Sequence, residues 1–211
     1  VGIALSGNIE VDTIVAQGCR PIGEPMQITQ CEQTLLKELE GKPPLKVLEE
    51  LHETLSDADK KLLQTSLFLG IEMDPMKDSP KQGDFLIRNL MGVDRESGGL
   101  GIGALLRNGQ LVQFHLRDKQ MSAEDLDVML TRYLKLGNAE NAKGALLFSC
   151  LGRGKHLYGK ANHDTDMFHG KLGKIPLGGF FCNGEIGPVG NTTFLHGYTS
   201  SFGIFRSLAR G

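Results

Sequence analysis

Short apolar segments that end at glycines dominate this sequence and restrict the folds it can adopt. Most of its 28 glycines follow residue 80, where runs such as 100–106 and 110–117 are separated by turn residues. Asn108-Gly109 between those two runs is the pair that a tight hairpin favours. This pattern predicts antiparallel sheet built from short strands.

A few segments between the predicted strands have the sequence features of helices instead. Pro43-Pro44 suits the first turn of a helix that reaches Leu55, and Ser56 fits the N-cap of a second helix. The sequence therefore predicts an α+β fold, mostly antiparallel sheet covered by helices near 43–65 and 122–137. The predicted strands are 1–5, 9–16, 26–31, 34–39, 66–72, 85–92, 100–106, 110–117, 144–150, 175–182, 185–189 and 193–198, although residues 35–39 would also suit a helix. The loop is 75–84, and a short helix is expected at 163–171.

Composition excludes several classes of protein. The 23 basic and 25 acidic residues give a net charge of -2, without the basic tract that a nucleic-acid partner requires. None of the four cysteines forms a CxxC pair, and no apolar run has transmembrane length. We expect a cytoplasmic protein with no nucleic-acid or membrane partner. Because the chain starts inside an apolar run without Met, we also expect a fragment of a longer protein.

Three motifs resemble ligand sites but lack an essential feature. Residues 99–104 satisfy GxGxxG/A, yet a hairpin rather than a helix is predicted after them. Residues 154–161 approach the Walker A spacing, but Ala161 replaces the hydroxyl that holds magnesium. The loose group His163, Asp164, Asp166 and His169 lacks zincin spacing, and the positive end of a helix explains its acids. No metal or cofactor is predicted.

Two glycine-rich corners carry the strongest functional signal. Residues 148–154 and 176–188 each contain an apolar strand that ends in Cys and opens into a turn with one charge, Arg153 or Glu185. A guanidinium could bind a ligand carboxylate, while Glu185 could accept from an ammonium group and Asn183 could do either. The alternative is that Arg153 and Glu185 pair with each other and join the two turns.

The same corners resemble a known family. Ser-Cys-x-Gly-Arg-Gly at 149–154, the run 179–188 and Phe-Leu-His-Gly-Tyr-Thr at 194–199 are similar to the FIST C domain. Residues 18–23 resemble the end of the FIST N domain. The resemblance implies a remnant of the N domain at 1–30 and the C domain at 31–205.

The resemblance also implies a function. FIST domains, found in bacteria and in eukaryotic F-box proteins, are regarded as sensory modules that bind small polar molecules such as amino acids and act through a signalling output protein or domain. The predicted ligand-binding set is Arg153, Asn183, Glu185, Cys150, Cys182 and His196.

The sequence is also compatible with two other functions. A cysteine-dependent enzyme would use Cys150 or Cys182 as nucleophile, with His196 or His163 as base. An interaction scaffold would instead expose an apolar patch, to which Phe202, Ile204 and Phe205 could contribute.

Overall fold

The computed structural model describes residues 4–76, 80, 83–137, 139–189 and 192–208. The chain forms two compact units. The barrel unit comprises Cys19–Asp118, and the sheet unit comprises the residues up to Gly18 together with those from Lys119 onward. Both units combine antiparallel strands with helices, so the predicted α+β class is confirmed. No helix within the described ranges is long and apolar enough to cross a membrane.

Six strands of the barrel unit close on themselves in the order β2-β3-β6-β5-β4-β7. Alternating apolar residues point inward, and Leu69, Leu100 and Phe114 are completely buried in its core. The prolines at 43–44 start α1 as predicted, and the Ser56 hydroxyl accepts from the Asp59 amide to cap α2. The elements are β2 Arg20–Glu32, β3 Leu35–Leu39, α1 Pro44–Thr54, α2 Asp57–Leu63, β4 Leu67–Glu72, β5 Phe85–Asp94, β6 Gly99–Ile102 and β7 Leu111–Leu116.

The predicted hairpin across Asn108-Gly109 is wrong. Gln110 N–H does donate to Arg107 O across that pair, so the turn exists. However, β6 pairs with β3 and β5, whereas β7 pairs with β2 and β4. The turn therefore connects strands that are not neighbours in the barrel. Residues 103–110, which follow the GxGxxG/A run, form no helix.

The sheet unit contains a four-stranded sheet in the order β1-β12-β8-β9 and a separate hairpin, β10-β11. Only the β8–β9 pair of that sheet is parallel, and α4 and α5 connect its two strands. Apolar residues of β1, β8, β12, α3 and α5 form the core of this unit. The elements are β1 Glu10–Ala16, α3 Lys119–Lys135, a 3₁₀ turn Ala139–Asn141, β8 Ala142–Cys150, α4 Lys155–Tyr158, α5 His163–Leu172, β9 Leu177–Cys182, β10 Glu185–Val189, β11 Thr192–His196 and β12 Ser200–Arg206.

Three predictions for the sheet unit need correction or restriction. Strand β12 was not predicted, and it places Phe202 and Ile204 in the core instead of on an exposed patch. Helix α3 begins at Lys119 rather than at Ser122. The expected strand 1–5 lies outside the described residues in its first three positions, and residues 4–5 are not in a strand. In the barrel unit, part of the predicted loop 75–84 also lies outside the described ranges.

Candidate ligand-binding site

Arg153 lies in the turn that follows β8 and is buried, with 1% of its surface exposed. Its Nε donates to Asp164 Oδ2 at 2.8 Å and its Nη2 to Asp164 Oδ1 at 3.3 Å, a bidentate ion pair. Nη2 also donates to the Tyr158 hydroxyl at 2.5 Å, and Nη1 donates to Tyr198 O at 3.3 Å. Burial opposes the charge on Arg153, but Asp164 outweighs it and the pKa of the guanidinium is raised.

Asp164 is the second member of this buried pair. Besides Arg153, it accepts from the Ser200 hydroxyl at 2.5 Å and lies 3.0 Å from His163 Nδ1. Burial alone would raise the pKa of the carboxyl group, but Arg153 and these hydrogen bonds lower it to about 2. The sequence indicated only that Asp164 suits the start of α5; the structure adds the ion pair that anchors that helix to the turn after β8.

Glu185 forms a second buried cluster at the start of β10. Its Oε2 accepts from the Thr199 hydroxyl at 2.6 Å and from the Thr199 amide at 3.3 Å. The carbonyl of the same peptide, on Tyr198, accepts from Arg153. Arg153 and Glu185 are therefore connected through one peptide bond. The two glycine-rich corners do meet, and this bridge was neither of the two arrangements weighed from the sequence.

The environment of Cys182 works against a nucleophilic role. Burial and the neighbouring Glu185 carboxylate, 3.4 Å from Sγ, raise the pKa of the thiol to about 11. His196 is buried, and its Nε2 lies 3.0 Å from Gly187 O. A thiol with this pKa is almost entirely protonated near neutral pH, which disfavours the enzyme that would use Cys182.

A cavity of about 380 Å³ opens beside the Arg153–Asp164 pair. Its walls come from β8, from the segment Gly154–Lys155, from the start of α5 and from β9. Both polar and apolar side chains line it, and its size lies within the range of small-molecule pockets. The lining residues are Leu147, Ser149, Gly154, Lys155, Ala161, Asn162, His163, Asp164, Thr165, Leu177, Gly178, Gly179, Phe180 and Phe181.

None of the six predicted ligand-binding residues lines this cavity, although Arg153 binds the wall residue Asp164. Arg153, Glu185 and His196 are buried in the network just described, Cys150 is buried at the end of β8, Cys182 is partly buried and Asn183 is exposed. Ligand contact by these residues stays a prediction. The sequence did contain a signal for the cavity: the period-2 alternation of β8 places Ser149 on the same face as Leu147.

Within the described part of the chain, no three His, Cys, Asp or Glu side chains are grouped so that they could hold a metal ion. His163, which the sequence placed in a loose acidic cluster, instead stacks on Tyr158 with ring centroids 3.5 Å apart. Its position contributes to the wall of the cavity.

Comparison with known proteins identifies the class to which this chain belongs. The chain is a member of the FIST family: residues 47–188 match the FIST C domain and residues 1–42 match the FIST N domain. FIST domains are described as sensory domains of signal transduction. The division of the chain near residue 30 stays a prediction, and the two compact units separate after Gly18 and after Asp118.

Individual relatives show how long related proteins are and in which organisms they occur. The uncharacterized protein Rv0628c of Mycobacterium tuberculosis is 41% identical over 208 residues, which cover 97% of this chain and 53% of the relative. The uncharacterized protein Mb0898c of Mycobacterium bovis is 42% identical over 205 residues, with the same coverage of each chain. An F-box/LRR-repeat protein of Arabidopsis thaliana is 25% identical over 142 residues, 60% of this chain and 27% of its own. The chain thus spans about half the length of the mycobacterial relatives.

Proposed function

We propose that the sheet unit is the sensory part of this chain and that it binds a small polar molecule, about the size of an amino acid, in the cavity beside α5. The observation that carries the proposal is the Ser149 hydroxyl. It is buried, it belongs to the cavity wall, and it forms no hydrogen bond within the described structure. A buried hydroxyl without a partner is costly, and a ligand that accepts from or donates to it would remove that cost.

The buried network beside the cavity supplies the rigidity that such a site needs. Asp164 belongs both to the cavity wall and to the ion pair with Arg153. Arg153 in turn holds the Tyr198–Thr199 peptide, which binds Glu185 at the start of the β10–β11 hairpin. We propose that ligand occupancy biases this hairpin and that a separate output protein or domain reads the change, because these hydrogen bonds join the hairpin to the cavity wall.

Thermal-shift measurements with a panel of amino acids test the proposal. The panel is measured on the wild type, on Thr165→Phe, which adds a ring to the cavity wall, and on Asp166→Phe, the matched change at the exposed neighbouring position. We expect micromolar ligands to stabilise the wild type and Asp166→Phe but not Thr165→Phe. Equal stabilisation of all three proteins would exclude this cavity, and no stabilisation of any would remove amino acids as the ligands.

A further inference from the structure

Ser149 faces the space between the sheet and α5. Along β8, Ala145, Leu147 and Ser149 share one face, and the first two belong to the core beneath α3 and α5. Ser149 is 5% exposed, and its Oγ has no hydrogen-bond partner among the described residues. Ser149 therefore belongs to the cavity wall, and its hydroxyl has no hydrogen-bond partner there among the described residues.

The start of α5 presents a second polar group to the same cavity. This helix is ten residues long, and its N-cap residue Asn162 forms no capping hydrogen bond with its side chain. Asn162, His163 and Thr165 all belong to the cavity wall. The first backbone amides of a helix lack partners within the helix and carry a partial positive charge, so they favour a bound anion.

The charges around the cavity also favour an anion. Lys155 lines the cavity, and within the described part of the chain its ammonium group forms no ion pair. The single acid of the wall, Asp164, is neutralised by Arg153. The balance of charge near a ligand is positive.

Asp164 has no acceptor position left for a ligand ammonium group. Its Oδ2 binds Arg153 Nε and the Ser200 hydroxyl, and its Oδ1 binds Arg153 Nη2 and lies 3.0 Å from His163 Nδ1. A carboxylate offers about four acceptor positions, and these contacts occupy them. A ligand cation would have to displace one of these buried hydrogen bonds, and the free energy lost would exceed the free energy gained.

The rest of the cavity wall is apolar. Register between the parallel strands places Leu177 beside Ala145 and Phe181 beside Ser149, on the face of the sheet that bears Ser149. Gly179 lies opposite Leu147, and a side chain there would clash with the Leu147 carbonyl, so only glycine lets β9 approach β8 this closely at the cavity wall.

We infer that the cavity binds a small carboxylate with an apolar body, that Ser149, Lys155 and the first amides of α5 hold the carboxylate, and that no ammonium group is required. The inference rests on the proposed binding function and narrows its ligand class. An amino acid would bind through its carboxylate, and the corresponding acid without the amine would bind as well.

Isothermal titration with matched five-carbon probes tests this selectivity. The acids are isovalerate, 2-oxoisovalerate and L-valine, and the controls that lack a carboxylate are isovaleramide, L-valinamide and 3-methylbutylamine. We expect the three acids to bind with Kd values within about tenfold of one another, and the controls to bind at least about tenfold more weakly. Amides that bind as tightly as the acids would overturn the carboxylate inference while leaving the cavity proposal intact. No binding by any of the six probes would contradict both.

Three variants separate the contacts. Ser149→Ala is expected to weaken isovalerate binding by about tenfold, because a buried hydrogen bond to a charged group is lost. Lys155→Gln should weaken it two- to fivefold, roughly the value of an exposed ion pair, and should reduce its salt dependence. Lys160→Gln, an exposed lysine outside the cavity wall, should change neither. Isovalerate affinity that is unchanged in Ser149→Ala would contradict the inference.

Discussion

The two units of this chain bury different kinds of side chain. The barrel unit closes around aliphatic and aromatic residues such as Leu69, Leu100 and Phe114. The sheet unit has an apolar core as well, but it also buries the Arg153–Asp164 ion pair. Burying a charge costs several kcal/mol before its partners compensate. The sheet unit thus buries an ion pair beside a cavity, whereas the barrel unit, which also buries Gln113, His115 and Arg117, has a core mainly of hydrocarbon.

The largest expected difference between the units concerns their ion pairs. Arg153→Met leaves Asp164 buried without its cation and should lower the unfolding free energy of the sheet unit by about 3–5 kcal/mol. Arg20→Met in the barrel unit breaks a partly exposed pair with Asp59 and should cost about 1 kcal/mol or less. Amide hydrogen exchange resolves the two units separately: β8 reports on the first variant and β7 on the second.

The double variant Arg153→Met with Asp164→Leu shows whether the charge is the cause. Replacing both members by apolar residues removes the uncompensated carboxylate, so most of the protection of β8 should return. If the double variant is as unstable as Arg153→Met, packing around the guanidinium rather than its charge maintains the sheet unit. The two units would then differ in how their buried side chains pack, and not in the charge that they bury.

Acid should destabilise the two units in different pH ranges. Burial lowers the pKa of His115 in the barrel from 6.5 to about 4, so between these values only the unfolded state takes up the proton. Barrel stability should therefore fall by about 3 kcal/mol as the pH drops through that range. The Asp164 pKa is lowered from 3.8 to about 2, so the sheet unit should lose about 2 kcal/mol only as the pH falls between those values.

Hydrogen exchange as a function of pH, again followed on β7 and β8, measures both losses. His115→Gln should abolish the change in the barrel unit above pH 4, whereas His52→Gln, at a partly exposed position of α1, should preserve it. Asp166→Asn, at an exposed position of α5, should leave the acid sensitivity of β8 as it is. A loss of β8 protection that coincides with the loss in the barrel would show that the two units do not respond independently.

Local sequence patterns predicted where the helices and strands lie better than they predicted which strands pair with each other. Proline and serine positions placed α1 and α2, and period-2 alternation placed most strands. The Asn108-Gly109 turn was identified correctly as a turn, but turn chemistry is local and cannot reveal that a closed barrel pairs β6 and β7 with other strands. Strand β12 was missed although it lies between β1 and β8.

For the candidate site as well, the sequence identified individual residues but not the residues with which they pair. Arg153 stands out in sequence as a charge between glycines, and the meeting of its corner with that of Glu185 was anticipated. Its partner Asp164 lies eleven positions later, beyond α4, and nothing in the spacing links the two. The cavity arises because parallel pairing places β9 beside β8, and such long-range pairing has no local signature.

The smallest expected difference concerns two helix starts. Ser56 caps α2 in the barrel unit by accepting from Asp59 N at 3.2 Å, so Ser56→Ala should cost about 1 kcal/mol. Asn162 precedes α5 with a φ of 59° and no capping side-chain bond, so Asn162→Gly should cost nothing, because glycine adopts positive φ freely. Exchange of the first-turn amides of each helix measures both effects. If Asn162→Gly costs as much as Ser56→Ala, the start of α5 is already capped and is a poor anion site; if it costs nothing, isovalerate should slow exchange at α5 and leave α2 unchanged.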